Sequence, residues 1–303
     1  MGNSNATVGN VKKTEVLWES FGTDVMPNVG DLVTGVGYKN GYVYFSTPAE
    51  FKNGNASIAV RNSKDVILWS WHIWCSEEGW NDHIYANNAG TMMDRNLGAT
   101  SATPGDIGAF GLMYQWGRKD PFMGSCAKSG TTLAASTGTW NKVSSAQTIE
   151  YVEENPMTYV CSDEWCTGIG SGYTPGEWRW KNAEKTLYDP CPVGYRVPKG
   201  GDDSFWETAL AETTWSEATR WDDTNAGRHW TLANGTTEAW YPATGTRNKY
   251  GDLTGVGSNG YYWYSSHDRG NSSYAESLTF SKSNLYSASG FRADSRSVRC
   301  VKE

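Results

Sequence analysis

Gly255-Val256-Gly257-Ser258-Asn259-Gly260-Tyr261-Tyr262-Trp263-Tyr264 is the stretch that decides the fold. Its glycine spacing matches that of dinucleotide-binding loops, in which a helix follows and its N-terminus holds the pyrophosphate. Here four aromatic residues follow instead, and a run of aromatic residues is typical of a strand. We therefore interpret the glycine-rich segment as a turn between two strands and not as a nucleotide site.

Segments of the same kind occur on both sides of this stretch, each short and rich in aromatic and β-branched residues. They are residues 16–18, 38–45 around the hairpin signal Asn40-Gly41, 57–60 after the turn 53–55, 66–74, 240–241, 277–280 and 297–301. Two modest helices are predicted, one that Asp106 caps and that runs through Trp116, and one that begins at a capping box of Ser204 and Glu207. The pattern predicts a sheet-rich α+β fold.

The chain divides into unequal parts. Its 303 residues suffice for one large β-rich domain or two smaller ones. Residues 1–65 are predicted to form a small β-hairpin lead-in module, and residues 66–303 the main domain. Residues 123–186 are rich in Gly, Ser, Thr and Trp and show no sustained period, which indicates an insertion held by its own contacts.

Charge and composition exclude several classes of protein. The net charge is −7, from 26 basic and 33 acidic residues, and no long basic run is present, which argues against a nucleic-acid partner. The most apolar run, residues 66–74, is too short to span a bilayer. The 16 Trp and 17 Tyr exceed what a core of this size needs. Some are therefore expected on the surface, although a large irregular core would also use them.

The six cysteines leave the compartment open. A local disulfide between Cys161 and Cys166 fits an oxidising compartment. Six buried free thiols in a cytosolic protein fit the same composition. No second pair with zinc-ribbon spacing accompanies these two cysteines, so no zinc site is predicted.

No catalytic residue is predicted. None of the histidines, His72, His83, His229 and His267, lies at the spacing of a helical zinc site or in a nucleophile motif. Clustered carboxylates such as Asp202-Asp203 and Asp222-Asp223 are interpreted as solvated charge. Calcium bound through loop oxygens is the alternative for these clusters, although no twelve-residue calcium loop is present.

Several segments in fixed order carry a resemblance to a known family. They are Ile67-Leu68-Trp69-Ser70-Trp71-His72-Ile73-Trp74, Met93-Asp94-Arg95-Asn96-Leu97-Gly98-Ala99, Gly111 to Phe122, Tyr188 to Pro198, Gly260 to Trp263 and Ser297-Val298-Arg299-Cys300-Val301-Lys302. From about residue 60 onward the chain resembles the Fibrobacter major paralogous domain of exported Bacteroidetes proteins. That resemblance implies a C-type lectin-like domain of short strands, two or so helices and long loops. Its C-terminal strands and loops would present a ligand surface.

The end of the chain also resembles the variable proteins of diversity-generating retroelements. These proteins share the C-type lectin fold and carry their diversified residues just before a closing segment like Ser297-Val298-Arg299-Cys300-Val301. Adenine-directed diversification reaches Asn, Asp, Ser, Tyr, His, Gly and Arg, and residues 264–274 consist entirely of these types. Residues 284–289 and 292–296 form a second stretch, in which these types predominate.

Composition supports a binding site in this region. Tyr, Ser, Asn and Arg in one loop are typical of antibody-like paratopes, in which rigid rings combine with small adaptable hydrogen-bonding groups. Tyr264, Tyr274, Tyr286 and Arg292 are predicted to line one exposed face, with Phe291 as a further anchor. The full set of predicted ligand-binding residues is Tyr264, Ser266, His267, Asp268, Arg269, Asn271, Ser272, Tyr274, Asn284, Tyr286, Ser287, Ser289, Arg292, Asp294, Ser295 and Arg296.

These observations favour a non-catalytic adhesin or receptor-binding protein without a cofactor. We expect it on a cell surface or virion, where it binds a protein or glycan of another cell or host. A pilin-like structural subunit is the first alternative. The second is an oxidoreductase that resembles formylglycine-generating enzymes, suggested by Gly290-Phe291-Arg292. That chemistry needs two C-terminal cysteines, whereas the last third contains only Cys300.

Overall fold

The computed structural model describes residues 7–167, 179–268, 270 and 273–303. The predicted site residues Arg269, Asn271 and Ser272 lie outside these ranges. Strands make up 38% of the structure, and its helices are short, so the predicted sheet-rich character is confirmed. The α-helices of the described part are α1 Ile149–Glu154, α2 Phe205–Ala209 and α3 Trp215–Ala218.

The strands form several sheets of different size. In chain order they are β1 Lys13–Ser20, β2 Gly35–Lys39, β3 Tyr42–Ser46, β4 Gly54–Arg61, β5 Ile67–Cys75, β6 Asp82–Tyr85, β7 Gly90–Met93, β8 Met113–Gln115, β9 Asn141–Val143, β10 Thr158–Val160, β11 Tyr195–Arg196, β12 Thr219–Asp222, β13 Gly227–Thr231, β14 Glu238–Pro242, β15 Thr246–Arg247, β16 Leu253–Thr254, β17 Asn259–His267, β18 Tyr274–Ser281, β19 Leu285–Phe291, β20 Ser295–Ser297 and β21 Val301–Lys302.

The N-terminal part is an antiparallel sheet of β1, β4 and β5 with the separate hairpin β2–β3. Asn40 and Gly41 have φ angles of 52° and 85°, which is the backbone of a two-residue hairpin turn and confirms the Asn-Gly signal. The domain boundary expected at residue 65 falls in the turn between the paired strands β4 and β5. The first sheet therefore extends to Cys75, beyond that boundary.

A seven-stranded sheet contains most of the C-terminal third. Its strand order is β16-β15-β20-β17-β18-β19, with β8 paired to β20. One face places Tyr262, Leu278 and Phe280 in a core cluster with Trp206 of α2. The opposite face places Trp263 in a second cluster. Because both faces are covered near β17, β19 at the sheet edge is the strand most open to solvent.

The C-terminus is fixed by pairing and by a disulfide. Strand β21 pairs with β11 and with β7, so the last residues return to a strand that begins at Gly90. Cys191 is bonded to Cys300, 109 residues away in sequence. Cys161 and Cys166 are both free thiols. The predicted local disulfide is therefore wrong, and so is the alternative of six free thiols.

The two helix predictions had different outcomes. Ser204 caps α2 through a hydrogen bond that its Oγ accepts from the Glu207 amide, which confirms the helix and its N-cap. The capping box is only half formed, because the Ser204 amide donates to the Gly201 carbonyl and not to the Glu207 side chain. The helix expected from Asp106 through Trp116 is wrong. Asp106 caps only the single 3₁₀ turn Ile107–Ala109, and Gly111 follows with a φ of 70°. A left-handed residue ends a helix, and the chain then enters β8.

The predicted insertion, residues 123–186, contributes to the core in its described part. Tyr159 of β10 is fully buried, and its hydroxyl lies 2.8 Å from the Arg247 carbonyl and 2.9 Å from the Ala293 carbonyl, within hydrogen-bond distance of both. Trp165 is also fully buried, and its indole N–H donates to the Trp116 carbonyl at 2.7 Å. These contacts join the segment to the seven-stranded sheet.

Candidate ligand-binding surface

Strand alternation decides which C-terminal side chains are accessible. Successive residues of a strand point to opposite faces of the sheet. In β17, Tyr262 and Tyr264 therefore share one face, while Tyr261 and Trp263 share the other. The registers of β17 with β18 and of β18 with β19 place Tyr286 on the face of Tyr261, and Ser287 on the face of Tyr264.

Tyr264 and Arg292 are not on an exposed face, so this prediction is wrong for both. Tyr264 is 1% exposed because its ring packs against Trp206, with centroids 5.0 Å apart. Its hydroxyl lies 3.2 Å from the hydroxyls of Ser204 and Ser287. Arg292 is 4% exposed, lies over the Trp116 ring and pairs with Glu164 at 3.0 Å.

Three further predicted ligand-binding residues, Asp294, Ser295 and Arg296, are buried, so their prediction as ligand contacts is wrong. Ser295 and Arg296 belong to β20, which lies between β15 and β17. Arg296 pairs with Asp294 at 3.3 Å. Burial raises the pKa of Asp294, although the neighbouring Arg296 counteracts this effect. The side chains of these residues lie beneath the surface of the C-terminal sheet and do not extend into solvent.

Arg296 supports an aromatic row on one face of the sheet. Its guanidinium carbon lies 4.4 Å from the Trp263 ring centroid and 5.0 Å from that of Tyr261. Across the three strands, Tyr261 pairs with Thr279 and Thr279 with Tyr286. Tyr286 is 53% exposed, whereas Thr279 is buried between its neighbours. We call Tyr261, Thr279, Tyr286 and Arg296 the tyrosine row.

Gly290 makes this arrangement sterically feasible. A Cβ at this position would lie 1.7 Å from Nη2 of Arg296, so only glycine leaves room for the guanidinium. Nη1 of Arg296 also donates to the hydroxyl of Ser277 in β18. The arginine thus contacts Tyr261 of β17 and Ser277 of β18, lies beside Gly290 of β19, and supports the Tyr261 ring.

Hydroxyl and carboxylate groups gather on the opposite face. Ser266 donates to Glu276, and the same Oε2 accepts the Gly201 amide at 2.7 Å. Ser289 donates to Asp268. The hydroxyl of Ser287 meets that of Tyr264 at the border of the core. We call Ser266, Asp268, Glu276, Ser287 and Ser289 the hydroxyl cluster. Its groups suit hydrogen bonds with a polar ligand.

The two surfaces meet at the edge strand β19. No strand of the described ranges pairs with the far side of β19. The Ser281 amide donates to the Asn284 carbonyl and closes the β18–β19 hairpin. Because hydrogen-bonded and non-hydrogen-bonded pairs alternate, the backbone groups of Leu285, Ser287 and Ser289 point away from β18. The strand contains neither a charged residue nor a proline, the usual protection of an edge.

The other predicted residues lie at the ends of these strands. Asn284 is exposed in the hairpin turn, and His267 pairs with Ala275 at the end of β17. Tyr274 and Phe291 are half-buried and meet edge to face, with centroids 4.7 Å apart. Lys249 lies 3.9 Å from the Phe291 ring centroid and pairs with Asp163. The structure therefore places His267, Tyr274 and Phe291 at one end of the sheet and Asn284 at the opposite end.

Sequence reasoning missed Tyr261, Glu276 and Lys249. Alternation from the buried Tyr262 was a signal for Tyr261. Glu276 was excluded because adenine-directed diversification does not produce Glu. Lys249 lies between β15 and β16, far from residues 264–296 in sequence, and no local pattern indicates its contact with Phe291.

Metal and membrane features add no further element to the site. Among the residues that the structure describes, no group of three or more His, Cys, Asp or Glu side chains is arranged to hold a metal ion. In the same residues, no helix combines the length and the apolar character needed to cross a membrane. The candidate site consequently consists of the tyrosine row, the hydroxyl cluster and the edge of β19.

Comparison with known proteins leaves the family open. No family model, no curated protein and no solved structure matches this chain. The resemblance described from the sequence segments therefore stays a prediction. The functional argument rests on the side chains and backbone groups of the C-terminal strands.

Proposed function

We propose that the chain is a non-catalytic ligand-binding protein of the cell surface or virion, an adhesin or receptor-binding protein. Its fold would be an α+β, C-type lectin-like domain behind a β lead-in, in keeping with the resemblance that runs from about residue 60 onward. The observation that carries the proposal is the unprotected edge of β19. Natural proteins usually cover or charge such edges, and an uncovered one favours a partner that adds a strand.

The side chains beside β19 suit this role. Tyr286 offers an exposed ring on one face, and Ser287 and Ser289 offer hydroxyls on the other. Rigid rings with small hydrogen-bonding groups give contact area at low conformational cost. A protein ligand would pair an extended segment with Leu285, Ser287 and Ser289 and reach both faces with alternating side chains. A protein ligand is therefore favoured over a glycan at this site.

Two alternatives remain, one that uses the β19 edge and one that uses Cys300. A pilin-like subunit would pair the β19 edge with another copy of the chain, and sedimentation velocity would then show concentration-dependent assembly. An enzyme similar to formylglycine-generating enzymes would use the Cys300 thiol. That sulfur is bonded to Cys191, which supports the binding protein over this chemistry.

The test begins with arrays of surface proteins and glycans probed with the purified chain. For a protein that binds, affinity is compared between the wild type and Tyr286→Ala. We expect a loss of about tenfold or more, since exposed aromatic anchors often contribute more than about 1 kcal/mol. Ile84→Ala, an exposed residue of β6 in another sheet, is the control. Equal loss in both variants, or none in Tyr286→Ala, would contradict the proposal.

A further inference from the structure

The hairpin β2–β3 presents two tyrosines on one exposed face. Its register pairs Gly35 with Ser46, Gly37 with Tyr44 and Lys39 with Tyr42, so these six residues share a face. Tyr42 is 77% exposed and Tyr44 57%. Residues two apart in a strand are separated by about 7 Å. The two rings are therefore neighbours in a row along β3.

Gly37 holds the ring of Tyr44 flat against the backbone. A Cβ at Gly37 would lie 2.1 Å from Cζ of Tyr44, so the phenol ring occupies the space that any other residue would fill. One side of the ring packs on β2 and the other side is available to solvent. The ring orientation is thus fixed before any ligand arrives, which reduces the entropic cost of binding.

The hairpin is anchored to the rest of the N-terminal sheet. The Glu19 carboxylate accepts the amides of Leu32 and Val33 at 2.8 and 2.7 Å, which fixes the segment before β2. Thr14 donates its hydroxyl to the Val36 carbonyl at 2.8 Å. Val36 and Val43, on the opposite face of the hairpin, pack against the core of this sheet. The tyrosine face therefore points outward.

Polar groups border the two rings. Thr34 and Ser46 join their hydroxyls at 2.9 Å beyond Tyr44, and Lys39 stands opposite Tyr42. Of the six residues on this face, Lys39 has the one charge, although acidic residues outnumber basic ones 33 to 26 in the chain. None of the six is aliphatic. A flat surface of rings, hydroxyls and one cation differs from the apolar centre of a protein interface.

We infer that this face, Lys39, Tyr42, Tyr44, Ser46, Gly35 and Gly37, binds a linear oligosaccharide that contains uronic acid. Neighbouring tyrosine rings stack on the C–H faces of successive sugars. The Lys39 ammonium pairs with a uronate carboxylate, and the Ser46 and Thr34 hydroxyls bond to sugar hydroxyls. The site belongs to the lead-in part and is independent of the surface at β19.

The test uses a hyaluronan hexasaccharide, with N-acetylchitohexaose as its uncharged counterpart, and isothermal titration calorimetry on the full chain. We expect Tyr42→Ala/Tyr44→Ala to weaken hyaluronan binding by about tenfold or more, through loss of ring contacts. Lys39→Gln should weaken it by about threefold, as expected of an exposed charge pair. Tyr42→Phe/Tyr44→Phe keeps the rings and should retain most of the affinity.

Controls separate this site from the C-terminal one. Tyr286→Ala should leave hyaluronan binding unchanged, and circular dichroism should show every variant folded. Absence of wild-type binding to the hexasaccharide would overturn the inference, as would full binding by Tyr42→Ala/Tyr44→Ala. Equal affinity for both oligosaccharides, with no effect of Lys39→Gln, would overturn the assignment to uronic acids. Self-association that the double alanine variant abolishes would assign the face to a protein contact instead.

Discussion

Individual buried residues show how the chain uses its polar groups as structural elements. Nε2 of His72 donates to Oδ1 of Asn55 at 2.9 Å, and the His72 ring stacks near Trp18. Arg296 lies across Trp263 and supports the tyrosine row. No catalytic or zinc-binding motif includes His72, and its contacts with Asn55 and Trp18 give it a structural role. In the case of Arg296, the buried side chain supports the ring of Tyr261 in the proposed binding surface.

Burial lowers the pKa of His72 to about 3, from 6.5 for an exposed histidine. The unfolded chain therefore takes up a proton first as the pH falls, so the stability contributed by the neutral ring is complete above pH 6.5 and decreases towards pH 3. Between pH 6.5 and pH 3, we expect the free energy of unfolding of the wild type to fall by up to about 1.4 kcal/mol per pH unit more than that of His72→Gln.

Urea unfolding of both proteins at about pH 7 and about pH 4 measures this difference directly. His267→Gln, at the half-buried end of β17, serves as the control. Parallel pH profiles for the wild type and His72→Gln would show that His72 does not carry the effect.

At the level of elements, period-two alternation and turn chemistry were readable from the sequence. Asn40-Gly41 predicted the β2–β3 hairpin, and the aromatic run 261–264 predicted β17. The sequence did not predict which residues of the C-terminal strands are exposed and which are buried. Tyr264 has the same composition signal as Tyr286, yet α2 covers the first and leaves the second open. That difference depends on contacts with Trp206, which is distant in sequence.

The backbone of β19 gives a test at the same scale. The Ser287 amide points away from β18, whereas Ala288 forms a hydrogen-bonded pair with Ser277. Proline removes an N–H donor, so Ala288→Pro should cost about 3 kcal/mol of unfolding free energy and Ser287→Pro less than about 1 kcal/mol. Denaturant unfolding measures both.

Ser287→Pro should nevertheless weaken binding of the protein ligand by about tenfold or more, because the added strand loses a partner. Unchanged affinity in a folded Ser287→Pro variant would mean that the ligand does not pair with this edge. Equal destabilisation by the two prolines would show that the direction of the β19 backbone groups is wrong.

Over the whole molecule, contacts between segments that are distant in sequence were the hardest feature to predict from the sequence. Spacing alone favoured Cys161 with Cys166, whereas the chain joins Cys191 to Cys300 where β11 and β21 pair. A different long-range pairing, that of β15 with β20, brings Lys249 close to Phe291. Two separate elements, the β2–β3 hairpin and β19, present aromatic side chains to solvent. A protein with two such surfaces gains avidity when both ligands lie on one target.

Amide hydrogen exchange, resolved by residue, tests the central claim most directly. In the free protein, the Ser287 and Ser289 amides should exchange quickly, while those of Tyr286 and Ala288, which face β18, should be protected. With the protein ligand from the array at saturation, exchange at Ser287 and Ser289 should slow markedly. Protection confined to another surface, with Ser287 and Ser289 unchanged, would contradict the assignment of β19 as the binding edge.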